Sequence, residues 1–270
     1  MINFLHTYIP RPEIFSIGEF SIHWYGLMIA LGAFAGISLV VKVAKQYEIQ
    51  SDTIYDLTFY LILVGILFER AYYVIYNWEY YSSHLYDIPQ IWEGGLAIHG
   101  GMIAGILVLY FFVKKHKLNY WLLLDIIIVG LPLAMAIGRW GNYFNQELFG
   151  TPTSLPWGIP ILSENRPEQF ADATYFHPTF LYESILNFIL LLVLVGMHWL
   201  RKNKKRCAEG SIALTFFIGY GIIRALMETL RQDYTPYFLG LRWAMFISFV
   251  IIAVAVALLV YRVVLYRKRK

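Results

Sequence analysis

Charge is scarce in this chain of 270 residues: Lys and Arg number 22, Asp and Glu 18, and together they make up 15% of the sequence against 59% hydrophobic and 18% aromatic residues. A soluble domain carries about a quarter of its residues charged. The shortfall excludes a soluble enzyme, a disordered tail and a nucleic-acid-binding module. Cysteine is rarer still. The one copy, Cys207, permits neither an intramolecular disulfide nor a cysteine metal site, so thiol chemistry that does not use Cys207 needs a thiol from another molecule. Neither Gly-x-Ser-x-Gly nor His-Glu-x-x-His occurs, and serine or zinc proteolysis therefore lacks its usual parts. Internal repeats and low-complexity segments are also missing. The first 15 residues show no basic segment ahead of an apolar one, so no cleaved signal peptide is expected.

What is present is apolar length. Stretches near 22–41, 54–76, 96–113, 118–137, 178–200, 211–230 and 243–261 come close to the ~20 residues that cross a bilayer. They predict an all-α integral membrane protein, one membrane domain over 1–270 with seven transmembrane helices. Glu69 and Arg70 interrupt the second stretch, whereas the last carries no charge from Trp243 to Tyr261. Alternate loops hold Lys42 and Lys45; Lys114, Lys115 and Lys117; Arg201, Lys202, Lys204, Lys205 and Arg206; and Arg262, Arg267, Lys268, Arg269 and Lys270. By the positive-inside rule these loops are cytoplasmic, with the N-terminus outside and the C-terminus inside. All ten lysines belong to this set, so the spans hold none, which excludes a retinal Schiff base. Seven basic residues remain and all are arginine: Arg11, Arg70, Arg139, Arg166, Arg224, Arg231 and Arg242. Arg11 and Arg166 read as outer-surface charges. An arginine within a span costs about 2.5–3.5 kcal/mol on insertion scales, so the others call for a partner, a ligand or a water-filled cavity. Residues 138–177, with Pro152, Pro156, Pro160 and Pro167, read as a non-helical, small extracytoplasmic head between the fourth and fifth spans.

Three constellations carry chemistry. Gly138-Arg139-Trp140-Gly141-Asn142-Tyr143-Phe144-Asn145-Gln146-Glu147-Leu148-Phe149-Gly150 sets an arginine, asparagines and a carboxylate among glycines that let a ligand approach the backbone. The guanidinium fork suits phosphate oxygens. A polar turn where a helix leaves the bilayer has equal claim on composition alone. Tyr220, Arg224 and Glu228 recur at i, i+4, i+8 on one helix face, with Arg231 about a turn further on. They suit either a plain buried ion pair or a phosphate-binding arginine steadied by a carboxylate. In Gly94-Gly95-Leu96-Ala97-Ile98-His99-Gly100-Gly101, flanking glycines strip bulk from around His99, and an imidazole is the side chain suited to general-base work. His23-Trp24-Tyr25-Gly26 reads as part of an aromatic belt, and His177-Pro178-Thr179 as the turn that starts a helix. Asp125 and Glu183 are intramembrane carboxylates with partners unassigned.

Taken together these motifs resemble the bacterial prolipoprotein diacylglyceryl transferase family, whose signature Gly-Arg-x-Gly/Ala-Asn-Phe-x-Asn-x-Glu-x-x-Gly is met by residues 138–150 except that Tyr143 replaces the phenylalanine. Seven identities at about one in twenty each would arise by chance on the order of once in 10^9 starting positions. The likeness runs from Phe15-Ser16-Ile17-Gly18 through His99-Gly100-Gly101 and His177-Pro178-Thr179 to Gly219-Tyr220-Gly221 and Arg224. It departs at Ala104, where a glycine is expected, and at Glu69, where a small residue is usual.

The resemblance implies an enzyme of the bacterial cytoplasmic membrane, active on the extracytoplasmic side. It moves the diacylglyceryl group of phosphatidylglycerol onto the lipobox cysteine of a prolipoprotein signal peptide, releases glycerol 1-phosphate, and needs no cofactor and no metal. It assigns catalysis to Arg139, Arg224 and His99, the last as base, and substrate binding to Tyr25, Arg139, Asn142, Glu147, Gly150, Tyr220, Arg224 and Glu228. Cys207, on the cytoplasmic side, is expected to be dispensable. The competing reading is an anion or lipid transporter that uses the intramembrane arginines as a path; the absence of paired interrupted repeats counts against it.

Overall fold

The computed structural model describes residues 2–18, 20–204, 207–232 and 235–268. Lys205, Arg206, Arg269 and Lys270, assigned above to the cytoplasmic face, lie outside the described residues. Helices dominate: α1 (Ile2–Thr7), α2 (Trp24–Lys45), α3 (Ser51–Tyr76), α4 (Trp78–Tyr81), α5 (Ile98–His116), α6 (Tyr120–Ile128), α7 (Gly130–Phe144), α8 (Thr179–Lys204), α9 (Ser211–Glu228) and α10 (Trp243–Lys268). Among the described residues, seven spans are long and apolar enough to cross a membrane, with α6 and α7 counting as one, Tyr120–Phe144. This is a multi-pass membrane protein.

Local chemistry sets the helix ends. The last turns of α2, α5 and α10 carry Lys42 and Lys45, Lys114 to His116, and Arg267 and Lys268, cations that also favour a helix C-terminus. The break between α6 and α7 falls at Val129, where Pro132 cannot donate to the carbonyl four residues earlier.

Two compact units make up the chain. One comprises Met1–Val40 with Ile127–Lys270, the other Val41–Ile126. In the first, α7 packs on α8, α8 on α9 and α9 on α10; in the second, α3 packs on α5. Three antiparallel two-stranded ribbons join the first unit's helices: β1 (Glu13–Ile17) with β2 (Phe20–His23), β3 (Ile159–Pro160) with β4 (Tyr175–Phe176), and β5 (Tyr237–Phe238) with β6 (Leu241–Arg242).

The expectation that residues 138–177 are non-helical is corrected at its start. Helix α7 continues to Phe144, because the first helix-breaking proline after Pro132 is Pro152 and Tyr143 stacks on Phe180 with centroids 4.6 Å apart. The helix stops where Gln146 and Leu148 take positive φ, 50° and 54°. Beyond it, Leu5, Tyr143, Ile159, Ile161, Phe176 and Phe180 form a small apolar core. His6 ties α1 to that core, donating from Nδ1 to the Gly158 carbonyl at 2.7 Å and stacking on Tyr175. Buried Gln146 donates to the Pro10 carbonyl at 3.0 Å and accepts from the Leu162 amide at 2.8 Å. Arg166, expected as an outer-surface charge, is half-buried and braces the segment by donating to the Ile161 and Ala171 carbonyls at 2.9 and 3.0 Å. Arg11 is exposed, as expected.

Candidate active site

The last turns of α7 carry the first half of the site. Arg139 and Asn142, three residues apart, share a helix face, and Arg139 Nη1 donates to Asn142 Oδ1 at 3.3 Å. Asn142 passes the contact on, donating from Nδ2 to Glu147 Oε1 at 2.6 Å. The glycines of the segment serve packing. A Cβ on Gly141 would meet the Tyr25 ring at 2.8 Å and its Cα at 3.2 Å, so this glycine lets the start of α2 lie flush against α7. One on Gly150 would press 2.8 Å from His177 Cβ. That closeness allows the Gly150 amide to donate to the His177 carbonyl at 3.0 Å and Gly150 to pair with Arg231. Thr179, the first residue of α8, donates from Oγ1 to the Leu148 carbonyl. Arg139, Asn142 and Glu147 thus form one hydrogen-bonded series, while Tyr25 packs on Gly141 and Gly150 on His177.

Glu183, left without a partner by sequence reading, proves central. Its carboxylate accepts from Arg139 Nε at 2.6 Å on one oxygen and from Arg231 Nη2 at 2.7 Å on the other. Arg139 also lies within electrostatic reach of Arg231, Arg224 and Tyr220. On α9 the i, i+4 pair forms as spaced: Arg224 Nη2 stands 2.9 Å from Glu228 Oε2. Arg242, which follows the β5–β6 turn, donates from Nε to Glu228 Oε1 at 2.7 Å and from Nη1 to the Arg231 carbonyl at 2.7 Å. Tyr220, one turn before Arg224, stacks on Phe216. No local signal pointed to Glu183 or Arg242 as part of the site, since their partners come from other segments.

Among the described residues, four arginines are paired with two carboxylates, Arg139 and Arg231 with Glu183, Arg224 and Arg242 with Glu228. The Glu183 and Glu228 side chains are 4% and 0% exposed, whereas Arg139 and Arg224 keep 21% and 20%. The carboxylates are covered while the Arg139 and Arg224 side chains stay partly exposed. Arg224 Nη1 and Arg231 Nε have no hydrogen-bond partner among the described residues. Planar N–H forks of this kind match phosphate oxygens.

The other unit holds His99, exposed in the first turn of α5 and stacked on Tyr72 with centroids 5.7 Å apart. The expectation that its glycine neighbours clear a path to it is corrected. Added Cβ atoms on Gly100 and Gly101 would run into Phe68 and Glu69 of α3, so these glycines let α5 close on α3. Ala104 on the same helix is fully buried and fills the place of the expected glycine. Arg70 acquires a role here. Buried, it donates to the carbonyls of Ile88 at 2.7 Å, Asp87 at 2.6 Å, Gly94 at 2.8 Å and Gly95 at 3.1 Å, and so organises the segment leading to His99.

The fold is that of an integral membrane protein with seven apolar spans, and the site gathers four arginines on two buried carboxylates. The family model for prolipoprotein diacylglyceryl transferase matches residues 12–261. Curated proteins called phosphatidylglycerol–prolipoprotein diacylglyceryl transferase are similar over most of their length. One from Acaryochloris marina is 42% identical over 224 residues, 83% of this chain and 81% of its own. One from Synechococcus elongatus is 41% identical over 93% of this chain and 87% of its own, and one from Thermosynechococcus vestitus 40% over 88% and 87%. The chain belongs to the prolipoprotein diacylglyceryl transferase family and is a transferase.

Proposed function

We propose that this protein transfers the diacylglyceryl group of phosphatidylglycerol to the lipobox cysteine of a prolipoprotein signal peptide. The new bond is a thioether, and glycerol 1-phosphate leaves. The observation that carries the reading is the cluster of Arg139, Arg224, Arg231 and Arg242 on two covered carboxylates, with the Arg139 and Arg224 side chains partly exposed. In this reaction the thiolate sulfur attacks the sp3 glyceryl carbon, and the carbon–oxygen bond breaks with its electron pair passing to the phosphate oxygen. Arg139 and Arg224 hold the phosphate and take up that charge as it develops. Asn142 and Glu147 orient Arg139, and Glu228 orients Arg224. Tyr25, Gly150 and Tyr220 shape the surroundings of the two arginines. A thiol of pKa about 8.5 is mostly protonated at neutral pH, and His99 accepts its proton; that role rests on imidazole chemistry and family resemblance.

The lysine-bearing helix ends support an orientation with the N-terminus outside, the C-terminus cytoplasmic, and residues 145–178 as an extracytoplasmic head of the bacterial cytoplasmic membrane. The deciding experiment supplies purified protein with phosphatidylglycerol labelled in its glyceryl backbone and a lipobox peptide. The cysteine peptide gains one diacylglyceryl mass and a serine version gains none. No gain on cysteine, or equal gain on serine, overturns the proposal.

A further inference from the structure

Apart from the arginine cluster, a cleft is lined by basic and aromatic side chains. It lies where α5 ends and α6 begins, has a volume of about 520 Å³, and is lined by Tyr110, Lys114, Lys117, Leu118, Tyr120 and Trp121 among others. That volume is within the range of small-molecule sites, roughly 300–1,000 Å³.

The turn that builds it is tightly held. Lys117 adopts the left-handed conformation, φ 53°, with its amide bonded to the Val113 carbonyl, and the Leu118 amide donates to the same oxygen at 3.1 Å. Asn119 Oδ1 then accepts the Leu122 amide at 3.1 Å and starts α6. Glycine is the usual residue at such a helix C-terminus. A lysine there keeps a positive side chain at a position where backbone preference argues for none.

Charge around the cleft is one-sided. Between Glu93 and Asp125 the sequence contains no carboxylate, yet Lys114, Lys115 and Lys117 fall within four residues. Lys115 lies over the Tyr60 ring, 6.0 Å from its centroid, and it is Lys114 and Lys117 that line the cleft. Tyr120 and Trp121 are residue types that settle at the headgroup level of a bilayer, and Leu118 adds apolar wall. Basic pockets of this make, at the membrane boundary of a helix pair, match anionic lipid headgroups.

We propose that this cleft binds an anionic phospholipid of the leaflet at the lysine-bearing end of α5, its phosphate between Lys114 and Lys117 and its glyceryl region against Leu118, Tyr120 and Trp121. The proposal rests on the membrane reading and not on the transfer reaction, and the cleft shares no residue with the arginine cluster.

The test is native mass spectrometry of the full-length protein released from detergent, titrated with phosphatidic acid or chain-matched phosphatidylcholine. The comparison is wild type against Lys114→Gln/Lys117→Gly. The glycine relaxes the left-handed turn, so the fold is retained, and unchanged diacylglyceryl transfer confirms it. Each lysine near a lipid phosphate is worth about fivefold in affinity, so the double variant should bind one phosphatidic acid roughly 25-fold more weakly, with the remaining lipid adducts unaltered. Equal phosphatidic acid binding by the two proteins overturns the proposal, as does phosphatidylcholine binding as well as phosphatidic acid to wild type. Displacement of the lipid by millimolar glycerol phosphate also overturns it, since it marks a site for soluble anions.

Discussion

Glu183→Gln removes one negative charge from between two guanidinium groups and leaves the side chain's size unchanged. The wild-type carboxylate is 4% exposed and accepts at 2.6 Å from Arg139 and 2.7 Å from Arg231, whose side chain is 6% exposed. Breaking a buried pair by removing one partner costs about 3–5 kcal/mol, because the surviving charge is left uncompensated. Two features reduce that here: glutamine still offers one acceptor oxygen, and Arg139 at 21% exposure can draw on solvent. The expected loss is therefore about 2–4 kcal/mol, read as a lower midpoint when detergent-solubilised protein is unfolded and followed by tryptophan fluorescence. Charge, rather than shape, is the asserted cause, so a second change should offset it. Arg231→Met removes one of the two positive charges on Glu183 while its backbone carbonyl continues to accept from Arg242. In a double-mutant cycle the combined variant should be more stable than the sum of the single losses by about 2 kcal/mol. Additive losses, within about 0.5 kcal/mol, would refute the view that Glu183 acts by balancing two arginines. Glu183 is a positioning residue, so turnover should fall through kcat more than through KM in Glu183→Gln.

Other changes separate the remaining roles. Arg139→Lys and Arg224→Lys should each cut diacylglyceryl transfer at least 100-fold, roughly the 2.7 kcal/mol of a lost oxyanion-type contact, with protein still present in the membrane; near-normal rates would remove the phosphate role. His99→Asn should slow transfer strongly near neutral pH and much less above the thiol pKa of about 8.5, where the nucleophile ionises unaided; a defect equal at all pH values argues for a structural role. Tyr143→Phe deletes a buried hydroxyl that has no partner among the described residues and restores the residue usual in the family. It should be neutral or stabilising by about 1 kcal/mol in thermal unfolding. Arg70→Gln withdraws donors from carbonyls at 87, 88, 94 and 95 and should expose residues 85–95 to limited proteolysis at least tenfold faster; an unchanged cleavage rate would contradict its organising role.

Reading residues in order exposed relationships that repeat within one helix. Arg224 and Glu228 could be paired from their four-residue spacing, and the pair forms. The run of signature residues marked Arg139, Asn142 and Glu147, which do make contact in series. Polar residues and glycines at the end of α7 read as a turn in sequence, whereas stacking of Tyr143 on Phe180 holds that segment helical. Gly100 and Gly101 looked like clearance around His99 because a sequence shows that bulk is absent but not what fills the space, which is α3.

By itself, then, the sequence determined the seven apolar spans, the sorting of every lysine to one set of loops, and the short list of arginines left over. Those follow from hydrophobic length and charge, which each residue carries wherever the chain goes. Only the tertiary structure decided that Glu183 serves Arg139 and Arg231, that Arg242 closes on Glu228, and that Arg70 gathers four carbonyls. Helical periodicity says which residues share a face of their own helix; which other segment meets that face is settled by packing, and the ion pairs across those faces exist only once it is complete.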